Sequence, residues 1–154
     1  MAKKGFDPPI EEQLQTFAKG VDQAFAQYLI NTQSKLSAAS PVDTGRLAAS
    51  WRVAKGSPDT SVEPPREEEG EEGSDKPAKV PNPLQIQFDG TWYITNSLPY
   101  AERAGLGAGG QGPYSGRIGT TNWYKNITAH SQEDWQRSLR RFLRKPPPRN
   151  FRPT

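Results

Sequence analysis

Residues 41–51, Pro-Val-Asp-Thr-Gly-Arg-Leu-Ala-Ala-Ser-Trp, decide how this chain folds back after a long amphipathic segment. Pro41 ends the preceding helix, because the residue before a proline is pushed out of the α region. Asp43 can accept a hydrogen bond from a free backbone N–H and so start a new helical turn. Gly45 gives the backbone more conformational freedom at this point. The stretch therefore predicts a joint between two helices, and it contains no catalytic arrangement.

The segment before the joint, residues 9–37, has the periodicity of an amphipathic helix. Its apolar residues recur at spacings of three and four and form one stripe, made of Leu14, Phe17, Val21, Ala24, Phe25, Tyr28 and Leu36. Such a helix is about 40 Å long at 1.5 Å per residue, which is more than a small core can cover. We therefore expect most of the stripe to lie in the core and part of it to pack on a neighbouring subunit.

The residues that follow the joint predict a short helix, a strand and a long loop. Leu47 and Trp51 are four residues apart, which places them on one face of a short helix. Residues 51–55 alternate in the manner of a strand. Residues 56–83 are rich in Pro, Glu and Gly and are far longer than a usual connection, so we interpret them as an acidic loop insert.

Two β-rich runs come next, and we predict that they form a hairpin. Residues 84–88 and 91–95 are separated by Asp89-Gly90, a strong signal for a tight turn between two strands. We expect this hairpin to share one core with the first helix and the joint, with Trp51, Ile86, Phe88 and Trp92 inside it.

A closing helix is predicted near the end of the chain. Ser131 can cap it, with Glu133 and Asp134 in its first turn. Its apolar stripe consists of Trp135, Leu139, Phe142 and Leu143, and the spacing of Trp123 and Ile127 extends the pattern back toward Thr120. The prolines at 146–148 end the helix.

Length and composition favour one small α+β domain. We predict a single domain over residues 1–145, with the long N-terminal and the C-terminal helix packed on a small antiparallel sheet and joined by long loops. Residues 146–154 form an extended, basic, Pro-rich tail. Only 32% of the 154 residues are hydrophobic, and the chain has 14 Gly and 15 Pro. A core this small favours a protein that is ordered within an assembly.

Charge is distributed unevenly along the chain. Residues 56–80 hold eight acids against three bases, and residues 140–154 hold six bases and no acid. We expect both segments to reach outward and contact other chains, although solvated, mobile segments are the alternative. The candidate contact residues are Glu67, Glu68, Glu69, Glu71 and Glu72 in the loop, and Arg140, Arg141, Arg144, Lys145, Arg149 and Arg152 at the C-terminal end.

The side chains that commonly act in catalysis or bind cofactors do not form a recognisable pattern in this chain. The chain has no cysteine, which excludes disulfides and thiolate chemistry, and a single histidine, His130, for which we expect a surface or capping role. The glycines of residues 105–112 lack the Lys and Ser/Thr that a phosphate-binding loop requires. No apolar run approaches the ~20 residues of a membrane span. We therefore expect no enzyme activity, no cofactor, no metal and no membrane contact.

Two stretches of sequence resemble a known family. PVDTGRLAASW at 41–51 and TNSLPYAERAG at 95–105 are similar to the neck or tail-completion (head–tail joining) family of long-tailed bacteriophages, which is related to the Z tail-completion protein of phage lambda. The positions that carry the resemblance are Pro41, Asp43, Thr44, Gly45, Arg46, Leu47 and Trp51 in the joint, and Asn96, Pro99 and Tyr100 in its partner segment.

This resemblance implies a structural virion protein that is assembled in the host cytoplasm. It would form a homo-oligomeric ring, six-fold or twelve-fold, that completes the tail and joins it to the head connector around the DNA path. Its partners would be the connector and the tail tube or terminator proteins, with non-specific contact to DNA in the lumen. The competing hypothesis is a small DNA-binding or assembly-regulating protein that acts through its basic C-terminal tail.

Overall fold

The computed structural model describes residues 9–40, 45–65, 78–101 and 127–143. Its longest element is helix α1 (Ile10–Ala39), against which the other elements pack. The helix ends where the sequence predicts, because Ser40, which precedes Pro41, has an extended backbone (φ −64°, ψ 133°). The other elements of the described residues are, in chain order, α2 (Arg46–Ala49), β1 (Arg52–Lys55), a 3-10 turn (Pro83–Gln85), β2 (Trp92–Thr95) and α3 (Ser131–Leu143). The predicted α+β fold class is confirmed.

The sheet consists of β1 and β2 in antiparallel pairing. Arg52 lies opposite Thr95 and Lys55 opposite Trp92. Strands that are about forty residues apart in sequence are therefore neighbours, and the intervening chain has to leave the sheet and return to it.

The predicted hairpin between residues 84–88 and 91–95 is wrong. A turn is present, since Gly90 has a positive φ of 61°, but residues 84–88 contain a 3-10 turn and no strand, and β2 pairs with β1 instead. The physical reason is that the backbone of residues 78–88, which we call the strap, finds its hydrogen-bond partners on α1.

Side chains of α1 hold the strap at three points along the helix. Ser37 Oγ accepts from the N–H of Ala78 (3.3 Å), and Gln33 Nε2 donates to the carbonyl of Lys79 (3.0 Å). At the other end, Asp22 Oδ1 accepts from the N–H of Phe88 (2.7 Å). The strap therefore runs antiparallel to α1, from the level of Ser37 to the level of Asp22.

The core lies between α1, the strap and the sheet. Ala26, Leu29 and Ile86 form its buried centre, and Phe25, Tyr28, Ile30, Val53, Trp92 and Ile94 pack against it. Ile86 is buried as predicted, whereas Phe88 and Leu84 are exposed. A two-residue alternation would have placed all three on one face, so the burial pattern also excludes a regular strand here.

Helix α3 packs antiparallel on α1. Its Trp135 ring contacts Phe25 (centroids 5.7 Å apart, edge to face), and Ser138 Oγ donates to the carbonyl of Ala24 (2.8 Å). Phe88 stacks on Trp135, with the ring centroids 5.3 Å apart, and its ring also contacts Phe25 at 5.1 Å. The aromatic contacts thus join α1, α3 and the end of the strap.

The start of α3 differs by one residue from the prediction. The carbonyl of His130 accepts from the N–H of Asp134, so His130 and not Ser131 is the residue that precedes the helix. Residues 127–129 are helical as well, in line with the expected earlier start, and the interval from Thr120 lies outside the described residues. Trp135, Leu139 and Phe142 are partly buried, but Leu143 is exposed. No helix within the described ranges is long and apolar enough to cross a membrane.

An ion pair links the two helices at the start of α3. Lys35 Nζ lies 2.8 Å from Asp134 Oδ2, and Arg137 contacts the other oxygen of the same carboxylate at 3.2 Å. The hydrogen bond from Lys35 holds the pKa of Asp134 below its ordinary value of 3.8, against the opposing effect of partial burial.

Ile86→Ala is expected to lower the free energy of unfolding by roughly 2–5 kcal/mol, because a buried aliphatic side chain is removed. Leu84→Ala, two residues away, is the matched control, and it should change stability by less than about 0.5 kcal/mol because Leu84 is 88% exposed. Urea denaturation measures both. Equal losses for the two variants would support the hairpin and contradict the strap.

Asp134→Asn is expected to remove an acid-sensitive part of the stability. A carboxylate with a lowered pKa stabilises the fold above the pKa of the unfolded chain, and this stabilisation is lost as the pH falls through the lower, folded-state pKa. The difference in unfolding free energy between the native chain and the variant, up to ~1 kcal/mol for a partly exposed pair, should therefore shrink below about pH 4. Glu133→Gln, on the same turn but 70% exposed, is the control, and it should leave this acid dependence in place. A constant difference for Asp134→Asn down to acid pH would contradict the assignment.

Candidate functional site: the joint and the exposed helix end

The joint is built around the short helix α2. Gly45 precedes it with φ 71° and ψ −6°, a left-handed conformation that favours glycine, which explains its place in the motif. Leu47, Ala48 and Ala49 are buried. The helix spans only four residues, so Trp51 lies beyond its end, and the prediction that Leu47 and Trp51 share a helical face is wrong.

Polar side chains of α1 hold the joint from the inside. Ser37 Oγ donates to the carbonyl of Ala48 (2.9 Å) while it accepts from the strap, so a single hydroxyl connects three segments. Gln33, which is 1% exposed, donates from Nε2 to the carbonyls of Trp51 and Lys79, each at 3.0 Å. The two carbonyl acceptors fix the orientation of this amide, and its Oε1 has no hydrogen-bond partner among the described residues.

Trp51 is anchored to the end of α1. Its Nε1 donates to Ser40 Oγ (2.9 Å), and this hydroxyl donates in turn to the carbonyl of Leu36 (2.8 Å). The indole is half-buried between the helix and the sheet. Trp51 therefore fixes the direction in which the chain leaves the joint and enters β1.

The two stretches that carry the family resemblance meet in space. Asn96 Nδ2 donates to the carbonyl of Leu47 (2.8 Å), and its Oδ1 accepts from the N–H of Leu98 (3.3 Å). Leu98 is buried, whereas Pro99 and Tyr100 are exposed. Asn96 thus binds the helix of the joint to the segment after β2. Pro99 and Tyr100, further along this segment, face solvent.

The first part of the acidic loop does not reach outward as expected. The carbonyl of Glu63 accepts from Arg46 Nε (2.7 Å), and its N–H donates to Ser50 Oγ (3.0 Å). Thr95 Oγ1 donates to the carbonyl of Asp59 (2.7 Å). Backbone groups of the loop are therefore bound by motif and strand residues, and this section of the loop folds over the joint.

A buried arginine completes the contact between the loop and the joint. Arg52 Nε donates to Ser61 Oγ (3.1 Å), its Nη1 donates to the carbonyl of Ala49, and its Nη2 lies 3.7 Å from the Glu63 carboxylate. Hydrogen bonds from the Ser61 hydroxyl and N–H hold the pKa of Asp59 below its ordinary value of 3.8. Every one of these interactions serves the structure of the joint.

Within the described ranges, the structure places no group of three or more His, Cys, Asp or Glu side chains where it could hold a metal ion. His130 is 69% exposed, and its Nδ1 lies 3.3 Å from Glu133 at the surface of α3. The polar residues of the joint bind backbone groups, which makes it a structural element that positions the surfaces around it.

The second notable feature is the first part of α1, residues 10–19, which we call the helix end. Ile10, Leu14 and Phe17 are 71%, 62% and 57% exposed. They continue, at helical spacing, the stripe of Ala24 and Tyr28 on which α3 packs. The predicted stripe is thus confirmed as core only in its second half, since Ala24 and Leu36 are buried while Leu14 and Phe17 face solvent.

The described hydrogen bonds of the strap and of α3 to α1 lie beyond the helix end. The strap makes its last described bond to α1 at Asp22, and the chain turns at Gly90. Helix α3 is bonded to Ala24 through Ser138, and Leu143 lies about 7 Å further along this helix at 1.5 Å per residue. Phe88 and Leu143 are exposed as well.

Of the charged candidates, Arg140 and Arg141 lie on the exposed side of the last turns of α3. The remaining charged candidates lie outside the described residues. They are Glu67, Glu68, Glu69, Glu71 and Glu72 of the loop, and Arg144, Lys145, Arg149 and Arg152 of the C-terminal segment. Three motif positions, Pro41, Asp43 and Thr44, and the glycine-rich residues 105–119 lie outside the described residues as well.

Sequence reasoning missed the polar residues of α1 that hold the joint and the strap. Gln33, Ser37 and Ser40 recur at spacings of four and three, so they form a polar stripe beside the apolar one. The signal that could have revealed them is this stripe of side chains, which can form hydrogen bonds with backbone groups. The stripe lies on a helix that is followed by segments without strand partners.

Comparison of the chain with protein-family models, with curated proteins and with solved structures gives no match.

Ser37→Ala is expected to lower the free energy of unfolding by roughly 1–3 kcal/mol, because the Ala48 carbonyl and the Ala78 N–H both lose their partner. Ser34→Ala, on the exposed side of the same helix, is the matched control. It should be neutral or stabilise slightly, by at most about 0.5 kcal/mol, since alanine has the higher helix propensity. Equal effects of the two substitutions in denaturant titrations would show that the hydroxyl of Ser37 does not hold the joint.

Proposed function

We propose that this chain is a structural subunit of the neck of a long-tailed bacteriophage. It forms a homo-oligomeric ring, six-fold or twelve-fold, that completes the tail and joins it to the head connector around the DNA path. It acts without chemistry: rigid surfaces on one ring fit those of the next, and loops and tails bridge to the neighbours.

The observation that carries the proposal is the exposed helix end. Ile10, Leu14 and Phe17 are large apolar side chains on one helical face, and more than half of the surface of each is in contact with water. Covering apolar surface is worth about 25 cal/mol per Å². This favours a subunit that is completed by another chain.

The joint supports the same function in a second way. The motif stretches around Leu47 and Asn96 are bonded to one another, as expected if both belong to one functional unit of the family that they resemble. The joint fixes α1 relative to the sheet through buried hydrogen bonds. A fixed angle between the projecting helix and the body of the subunit is what a ring of identical copies requires, because each contact has to repeat with the same geometry.

The basic face of α3 suits a position close to nucleic acid. Arg137, Arg140 and Arg141 are exposed along the last turns of this helix, and the sequence continues with further basic residues. Arginines of this kind bind phosphate without sequence preference. In the ring they would contact DNA in the lumen or the acidic loops of adjacent subunits, where exposed pairs contribute only ~0–1 kcal/mol each and guide assembly.

The same arginines are the observation that favours the second candidate, a small DNA-binding or assembly-regulating protein. This alternative needs no oligomer. It predicts a protein that stays monomeric and binds double-stranded DNA with an affinity that falls steeply with salt, in proportion to the number of phosphate contacts.

Native mass spectrometry and light scattering of the purified chain test the proposal. We expect a closed oligomer of six or twelve copies, and we expect Leu14→Lys with Phe17→Lys to shift it to monomers by placing charges in the contact, with the helical content unchanged. Gln23→Lys, an exposed position on another side of α1, is the matched control and should leave the oligomer intact.

A two-fold dimer, or a monomer at all concentrations, would overturn the ring. A monomer with steep salt dependence of DNA binding would establish the alternative function in its place.

A further inference from the structure

The chain carries a second exposed apolar surface, on the outer side of the strap. Val80 and Leu84 are 56% and 88% exposed, and they flank the start of the 3-10 turn. The strap is bonded to α1 at Ser37, Gln33 and Asp22, which lie on a different side of the helix from the stripe of the helix end. At 100° per residue, the positions that bind the strap lie roughly a third of a turn from the stripe of Leu14 and Phe17.

We propose that the helix end of one copy docks on the strap of a second copy, with Leu14 against Val80 and Phe17 against Leu84. This inference rests on the proposed ring and names the contact that closes it. Because the two surfaces differ, the contact is heterologous, and repeating it around an axis generates a ring when the rotation closes.

The dimensions of the two surfaces match. From Ile10 to Phe17 the helix rises about 10 Å at 1.5 Å per residue. From Val80 to Leu84 the chain covers about 10–13 Å, because an extended residue advances about 3.3 Å and a 3-10 residue about 2 Å. The apolar side chains of the helix end can therefore lie along the apolar side chains of the strap over their whole length.

Charge also favours this pairing. Glu11 flanks the stripe of the helix end, and Lys79 precedes Val80 on the strap, and both are exposed. Docking one surface on the other brings an acidic group toward a basic one.

The area required for a stable contact favours a heterologous arrangement over self-pairing. A specific interface buries about 800 Å² on each partner, which three side chains on about two helical turns do not supply. Pairing two helix ends would cover only one of the two exposed surfaces. The heterologous contact covers both surfaces on every copy, so each subunit gains two interfaces in the ring.

The absence of cysteine from the chain permits a direct test by disulfide cross-linking. Phe17→Cys and Leu84→Cys are made as separate variants, mixed, and oxidised under mild conditions. A disulfide requires Cα atoms within about 7 Å, whereas Phe17 and the level of Leu84 on α1 are separated by roughly 15 Å along the helix, so a bond within one chain is not possible. Gln23→Cys mixed with Leu84→Cys is the matched control.

We expect the Phe17→Cys and Leu84→Cys mixture to form cross-linked dimers about tenfold or more faster than either variant alone or than the control, because docking raises the effective concentration toward millimolar. The chain with both substitutions should give a ladder of oligomers. Faster dimerisation of Phe17→Cys alone would establish self-pairing and overturn the inference.

The mass of the native chain separates this inference from the proposed function. A six- or twelve-copy oligomer that lacks the Phe17–Leu84 cross-link would overturn the docking contact and leave the ring in place. A monomeric native chain would overturn both.

Discussion

The structure depends on the bonding of backbone groups by side chains of α1. The strap and α2 contain buried backbone groups that have no strand partner, and buried N–H and C=O groups have to be paired. Ser37 bonds both segments through one hydroxyl, and Gln33 bonds the strap and the exit of the joint through one amide. Without these contacts, the residues of the joint would have to be solvated, and the core of Ala26, Leu29 and Ile86 would open on one side.

The same arrangement leaves apolar side chains of α1 exposed. The strap and α3 both run antiparallel to α1 along its second half, and their described hydrogen bonds to it reach as far as Asp22 and Ala24. The first part of this thirty-residue helix then carries exposed apolar side chains on the face against which α3 packs further along. The fixed joint and this exposed stripe are the two features on which the proposed assembly with another copy rests.

The sequence predicts the elements well and their pairing poorly. Periodicity places α1 and α3, and Pro41 places the end of α1, because these signals are local and act through backbone sterics. The alternation of residues 84–88 is local too, but it cannot reveal that Asp22 and Gln33 provide partners for the strap or that β2 pairs with a strand forty residues earlier. The contact of Asn96 with the joint could be expected from the family resemblance alone, since no spacing in the sequence implies it. The length of α1 indicates that a small core cannot cover the whole stripe, but no local pattern shows that Leu14 and Phe17 are the exposed part.

Amide hydrogen exchange over residues 10–19 tests most directly whether α1 is completed by another copy. The exchange of the native chain is measured above and below the concentration at which it assembles. A helix end that lacks tertiary contacts exchanges rapidly, whereas a packed one is protected by the stability of the whole contact. We predict protection similar to that of residues 24–37 in the assembled state, and rapid exchange of residues 10–19 alone after dilution. Rapid exchange of residues 10–19 at every concentration, with residues 24–37 protected throughout, would show that the helix end remains in water and would contradict the account.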